Sequence, residues 1–241
     1  MLFSHHSDDD QRRFCSCVVP AAGASVRMGE DKLFLRLGDR VVIAKTLRAL
    51  QDSPYIDEII VVTQSPKIPE IAALCETFGV TKLAHIVTGG ETRAQSVLRG
   101  VGLCSDRAEL IAVHDGARPL VDAGTIERAV LSAAEFGAAA PAVKVKDTVR
   151  VGRGGAAVKT LERDELYLMQ TPQVFGASLL KDALEEVVRL NISVTDDCQA
   201  VMLRDAPVRL TEGSYENIKI TTPTDILTAR AILEERGEWT C

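Results

Sequence analysis

Val18–Phe34 reads VVPAAGASVRMGEDKLF. An apolar run ends at Pro20, and small residues follow: Ala21, Ala22, Gly23, Ala24 and Ser25. Small side chains let a backbone approach a ligand, and successive N–H groups in such a loop can form an anion nest. Arg27 and Lys32 put two cations on or just after it. In an open parallel sheet, ligands sit beyond the carboxyl ends of the strands, where a loop of this kind lies. G-x-x-x-x-G-K-[ST] is absent, so the stretch is not a P-loop; G-x-G-x-x-G is absent too, which weakens a dinucleotide reading. On its residues alone it is equally an ordinary strand–helix turn with two solvated cations.

Outward from this loop, β-branched runs alternate with helical patterns. Phe14–Val19 reads as the first strand, and a helix follows around Val41–Leu50. Ile56–Thr63 (IDEIIVVT) is nearly continuous in apolar residues, as a strand covered on both faces should be. A helix near Pro69–Phe78, a strand at Ala84–Val87, a helix at Thr92–Leu103, a strand at Leu110–Val113, a helix at Thr125–Phe136 and a strand at Ala138–Val143 complete the rhythm. This order predicts an α/β fold with a mostly parallel sheet, right-handed crossovers and helices on both faces.

The rhythm breaks after Val143. Asp147–Val151 and Val158–Glu162 are extended around the turn-rich GRGGAA, which predicts an inserted β-hairpin arm within about 144–170. Such an arm is marginal by itself, so it either pairs with another subunit or folds back as a flap. Helices return at Ala177–Arg189, Asp196–Leu203 and Asp225–Arg236, with short strands expected at Val208–Thr211 and Asn217–Ile220. Residues 1–13 read as a disordered, solvated extension and 14–237 as one domain.

The chain has 241 residues and a net charge of −6, with aromatics at 4%. The acidic balance argues against bulk nucleic-acid binding, and few aromatics are available for base stacking. No apolar run approaches the length of a membrane span. The six cysteines are scattered, and Cys15-x-Cys17 fits neither a zinc ribbon nor a redox pair. Both fall in the first strand, facing one side as small hydrophobes, and a reducing cytoplasm fits best.

Further segments can carry chemistry. GGETRAQSV (Gly89–Val97) places two glycines between a strand and a helix with a capping Glu91 or Thr92. Backbone groups there can read a base edge, with Ser96 adding a hydrogen bond. In VHDGARPLV (Val113–Val121), Asp115 stands at a strand end, where a carboxylate can hold a metal or a hydroxyl. Arg118 is a candidate partner for Asp115 or for a loop carbonyl, and His114 reads as a packed, hydrogen-bonded residue. No nucleophile elbow is recognisable. KDT (Lys146–Thr148), ERD (Glu162–Asp164), TPQVF (Thr171–Phe175), TDD (Thr195–Asp197) and ENIKIT (Glu216–Thr221) are each ambiguous alone. TDD is equally an N-cap.

Taken in order, PAAG, RM, K, GG, R, S, HD-x-ARP, KDT, TPQ, TD and NIK-x-T resemble the 2-C-methyl-D-erythritol 4-phosphate cytidylyltransferases from about Cys17 to Leu233. The resemblance implies a Rossmann-like α/β fold, Mg²⁺, and a homodimer in which one subunit's arm reaches the other's site. It implies the reaction of CTP with methylerythritol phosphate to give diphosphocytidyl-methylerythritol and pyrophosphate. Carried over by motif, Pro20, Ala21, Ala22 and Gly23 surround the CTP phosphates, and Arg27 and Lys32 stabilise the transition state. Gly90 and Ser96 recognise cytosine, and Asp115 and Gly116 lie near ribose, metal and second substrate. Lys219 and Arg163 position the acceptor phosphate, with Thr148 and Thr195 as donors. Arg163 and Thr148 lie on the arm, so they serve the partner's site. Val26 departs from the frequent basic residue beside Arg27, and Asp31 from a frequent Pro before Lys32. Pentitol-phosphate cytidylyltransferases, such as the ribitol 5-phosphate enzymes, share the loop and much of the tail. A nucleotide-binding regulator without catalysis is a further alternative.

The implied chemistry suits these residues. A phosphate monoester is largely a dianion at neutral pH and is already a nucleophile, so no triad is needed. Catalysis is then positioning and charge stabilisation, and the cations should gather in one positive pocket of an acidic protein.

Overall fold

The computed structural model describes residues 12–23 and 31–240. In chain order the elements are β1 Cys15–Pro20, β2 Arg36–Leu37, β3 Arg40–Val41, α1 Val42–Asp52, β4 Glu58–Thr63, α2 Ile68–Thr77 and β5 Leu83–Thr88. Then come α3 Arg93–Val101, β6 Leu110–Val113, α4 Ala123–Phe136, β7 Ala138–Lys144, β8 Arg150–Arg153 and β9 Ala156–Thr160. β10 Tyr167–Met169, β11 Gln173–Gly176, α5 Ala177–Arg189, α6 Asp197–Met202, β12 Arg209–Glu212 and α7 Pro223–Glu235 complete it.

The main sheet runs β10-β7-β11-β6-β1-β4-β5, and β12 pairs with β7. β5, β4, β1 and β6 are mutually parallel, whereas β11 and β10 are antiparallel to their neighbours. From β1 the chain moves out through β4 to β5 and then returns to the other side of β1 as β6. The crossovers therefore diverge between β1 and β6, leaving a crevice at their carboxyl ends.

Alternation along β1 explains the layers. Cys15, Cys17 and Val19 enter a core with α1, α2, α4 and α7, while Val18 enters the opposite core with α3, α5 and α6. Helices on both faces are thus observed, and Cys15 and Cys17 share a side as expected. The described cysteines are unpaired, and burial pushes Cys15 and Cys104 up to about 12. No helix among the described residues is long and apolar enough to cross a membrane.

Two expectations change and one ambiguity closes. Asn217–Ile220 is not a strand: its buried Asn217 and the Ile220 N–H bond to loops, Asn217 Nδ2 to Thr171 O and Ile220 N to Ala117 O. TPQVF, ambiguous in the sequence, enters β11 at Gln173 after a cis Thr171–Pro172 peptide. Arg12 is not a loose end, because its guanidinium grips the Asp57 carboxylate from both nitrogens. Residues 1–11, including His5, His6 and Asp8, lie outside the described residues.

The hairpin is present. β8 and β9 pair only with each other among the described strands, and Gly154 and Gly155 turn it with φ of 56° and 81°. Its base is anchored: Tyr167 pairs with Lys144 in the main sheet, and Lys146 Nζ sits 3.5 Å over the Tyr215 ring.

Candidate active site

The crevice at the ends of β1 and β6 is a cavity of about 420 Å³. Its walls follow from local chemistry. The small-residue loop is held by β4: Ala21 N–H bonds Val62 O at 2.7 Å, and Gln64 Nε2 bonds Ala22 O at 3.2 Å. The GG loop packs directly on it. A Cβ at Gly89 would lie 2.7 Å from Ala22 Cβ and 2.9 Å from Ser96 Oγ, so only glycine fits. A Cβ at Gly116 would likewise meet Ile43 Cδ1 at 2.9 Å.

Ten expected residues line this cavity: Pro20, Ala21, Ala22, Gly23, Lys32, Gly90, Ser96, Asp115, Gly116 and Lys219. Thr92, not Glu91, caps α3 and forms a reciprocal box with Gln95. Ser96 Oγ accepts from Gly90 N at 3.0 Å and donates to Thr92 O at 2.9 Å, so its hydroxyl shapes the loop. Asp31 takes the position where Pro was expected and does local work of its own: its carboxylate accepts from Leu33 N at 3.3 Å and caps the single turn carrying Lys32.

Of the other four expected residues, the three that are described do not line it. Arg27, with Val26, lies outside the described residues. Thr148 and Arg163 are exposed on the arm, where Arg163 Nη1 donates to Lys146 O at 3.3 Å. Thr195 is exposed before α6, and its hydroxyl and N–H both reach Gln199 Oε1. Asp196 is the N-cap of α6, as one reading of TDD had it.

Asp115 is the electrostatic centre. Lys219 Nζ lies 2.8 Å from Asp115 Oδ2, and Arg118 Nε lies 3.6 Å from it. Burial favours the neutral acid here, but the charge and hydrogen bond of Lys219, with Arg93 and Arg118, outweigh it and hold the carboxyl down at about 2. Arg118 serves both suggested roles, donating also to Asn217 O at 2.6 Å and Met169 O at 3.4 Å. His114 is fully buried and bonded at both ring nitrogens, and burial holds its imidazole down at about 4.

Sequence reasoning carried Arg93 and Asp197 inside its motifs but gave neither a role. Arg93 lines the cavity, and its Nη2 is 2.6 Å from Asp197 Oδ2, which is fully buried. Burial pushes the Asp197 carboxyl up, and the Arg93 guanidinium offsets part of that. Gln173 completes the clamp: Oε1 accepts from Asp197 N and Cys198 N, while Nε2 donates to Asp196 Oδ2. Nothing in the spacing announces a pair whose members lie 104 residues apart.

The cavity thus joins cations from Lys32, Arg93 and Lys219 with a small-residue loop and the buried, ionised Asp115 carboxylate. That set can bind polyphosphate and align a second anion. No group of His, Cys, Asp and Glu among the described residues forms a metal cluster. Asp115 nevertheless suits Mg²⁺, which accepts one or two carboxylates when substrate phosphates and water supply the remaining oxygens.

Residues 15–235 match the model of the family described as 2-C-methyl-D-erythritol 4-phosphate cytidylyltransferase. A protein of that name from Desulforamulus reducens is 40% identical over 230 residues, covering 92% of this chain and 97% of its own. Another, from Pelotomaculum thermopropionicum, is 40% identical over 225 residues, covering 92% of this chain and 94% of its own. Among solved structures, 4-diphosphocytidyl-2C-methyl-D-erythritol synthase from Anaerococcus prevotii superposes with a TM-score of 0.82 at 32% identity, covering 92% and 96% of the two chains. The Thermus thermophilus cytidylyltransferase gives 0.76 at 33% identity, covering 92% and 99%.

Proposed function

The chain belongs to the 2-C-methyl-D-erythritol 4-phosphate cytidylyltransferase family, and from that premise we propose that it transfers the cytidylyl group of CTP to 2-C-methyl-D-erythritol 4-phosphate. An oxygen of the acceptor phosphate bonds to the α-phosphorus of CTP, and the bond to the β-phosphate oxygen breaks. The products are 4-diphosphocytidyl-2-C-methyl-D-erythritol and pyrophosphate. The observation that carries this reading is the convergence of the β1 loop, Lys32, Asp115 and Lys219 on one cavity at the sheet's switch point.

Each residue has a task there. Backbone N–H groups of Pro20–Gly23 and their neighbours cradle the triphosphate, with Arg27 and Lys32 offsetting charge in the transition state. Proline itself lends no N–H and the Ala21 N–H is held by Val62 O, so Ala22 and Gly23 are the donors. Gly90, in a loop shaped by Ser96, reads the cytosine edge. Gly116 leaves room for the ribose beside Asp115. Lys219 meets the acceptor phosphate as a point charge, which suits an ammonium group.

Magnesium, when bound, supplies electrostatic neutralisation of the phosphates, and Asp115 is the protein group that would hold it. Thr148 and Arg163 act in the second subunit of a homodimer. Exposed Val158, Tyr167 and Leu168 on and beside the arm give it apolar surface to bury there. Thr195 adds a hydroxyl at the acceptor end. A cytoplasmic setting suits the free thiols.

The test is pyrophosphate release from CTP and Mg²⁺ with either methylerythritol phosphate or ribitol 5-phosphate. Rapid release with the first is expected. Release with ribitol 5-phosphate alone overturns the acceptor, and CTP binding without release from either supports a regulator.

A further inference from the structure

His114 has no task in the reaction above, yet it is fully buried beside Asp115 with both ring nitrogens engaged. Nε2 lies 3.2 Å from the Arg118 carbonyl oxygen, which can only accept. Nε2 therefore carries the proton. At the other end, the Asp115 N–H donates to Thr171 Oγ1 at 3.1 Å. The ring is fully buried and bonded only to a carbonyl and a hydroxyl, with no carboxylate on either nitrogen, so it stays neutral. With the proton on Nε2, Nδ1 is bare and accepts the Thr171 hydroxyl hydrogen, 3.0 Å away.

That chain also reaches Lys219. Thr171 O accepts from Asn217 Nδ2 at 2.9 Å, and Arg118, whose carbonyl His114 holds, donates Nη1 to Asn217 O at 2.6 Å. Asn217 stands two residues before Lys219, so both halves of the Asp115–Lys219 pair hang from Thr171. The β6 ladder ends at Val113, which leaves the Asp115 backbone without a strand partner. Thr171 takes its place only while its own hydrogen has somewhere else to go.

We propose that His114, as the neutral Nε2–H tautomer, is a positioning residue for cytidylyl transfer: it turns Thr171 Oγ1 toward the Asp115 N–H and so aims the Asp115 carboxylate at Lys219. The inference rests on the assignment of Asp115 and Lys219 to the reaction.

The ¹⁵N spectrum of histidine-labelled enzyme at pH 7, assigned by the signal lost in His114→Asn, should show Nε2 protonated and Nδ1 bare. An Nδ1–H tautomer or an imidazolium overturns the proposal. Kinetically, His114→Asn can place an oxygen near the Nδ1 position and restore the acceptor. His114→Gln can reach the Arg118 carbonyl but leaves Thr171 without one. The Gln variant should lose about tenfold or more in kcat with little change in KM for CTP, and the Asn variant should recover most of it. Equal losses in both, or losses that follow Tm, overturn the positioning role. If neither variant folds, the wild-type tautomer decides. Wild-type turnover measured alongside keeps the premise separate: an inactive wild type with the Nε2–H tautomer sinks the assigned reaction and leaves the hydrogen-bond chain standing.

Discussion

The crevice floor and the hairpin arm both carry expected site residues, yet they differ in how far one chain completes them. At the floor, Asp115 is held by Arg118 of its own loop and by Thr171 and Lys219 from segments far away in sequence. On the arm, every residue of β9 is exposed and β8 is its only strand partner among those described. Thr148 and Arg163 therefore stand outside the cavity that Lys219 lines. On the proposed reading, one half of the site is made by the fold of a single chain and the other half comes from a second subunit.

The sharpest break in that comparison is Lys32→Ala. With an intact core and one preorganised cation gone, turnover should fall about a hundredfold to a thousandfold while the melting curve stays put. Near-native turnover would remove Lys32 from the reaction. Stability should separate the regions next. Arg93→Ala strands a buried carboxylate at Asp197 and should cost about 3–5 kcal/mol in urea unfolding. Arg150→Ala, which removes an exposed contact to Thr160 on the arm, should cost less than about 0.5 kcal/mol.

Complementation addresses the waiting half. Arg163→Ala and Lys219→Ala enzymes should each be impaired. Mixed dimers of the two should regain about half of wild-type activity, because one of two symmetric sites is whole. No recovery in confirmed mixed dimers would mean that each chain works alone.

Acid stability probes the floor alone. Asp115 is depressed from 3.8 to about 2, so its contribution is present above pH 4 and is lost as pH falls through about 2. The loss should be roughly 2 kcal/mol, and Lys219→Ala should flatten that part of the curve. His114, depressed from 6.5 to about 4, acts with the same sign across that higher window. Unfolding free energies measured from pH 7 to 2 check both.

Much of this molecule was legible before any coordinates. The βα rhythm placed Leu110–Val113 and Ala177–Arg189 to the residue, because period and length agree with propensity in those segments. The small loop, the paired glycines and Asp115 were legible for a different reason: backbone approach and strand-end placement leave marks in local composition. Asn217–Ile220 misled because Ile218 and Ile220 alternate with polar residues as a strand would, while Asn217 is spent on loop hydrogen bonds instead.

The sequence by itself therefore determined what depends on short range: the layered fold, the small-residue loop, the capped helices and the residue types suited to phosphate. Only the tertiary structure decided which of them meet. It set Lys219 against Asp115, closed Arg93 on Asp197 and left the arm outside the cavity. Such pairings join segments a hundred residues apart, and their energy comes from burial and mutual orientation. Neither quantity exists until the sheet has assembled.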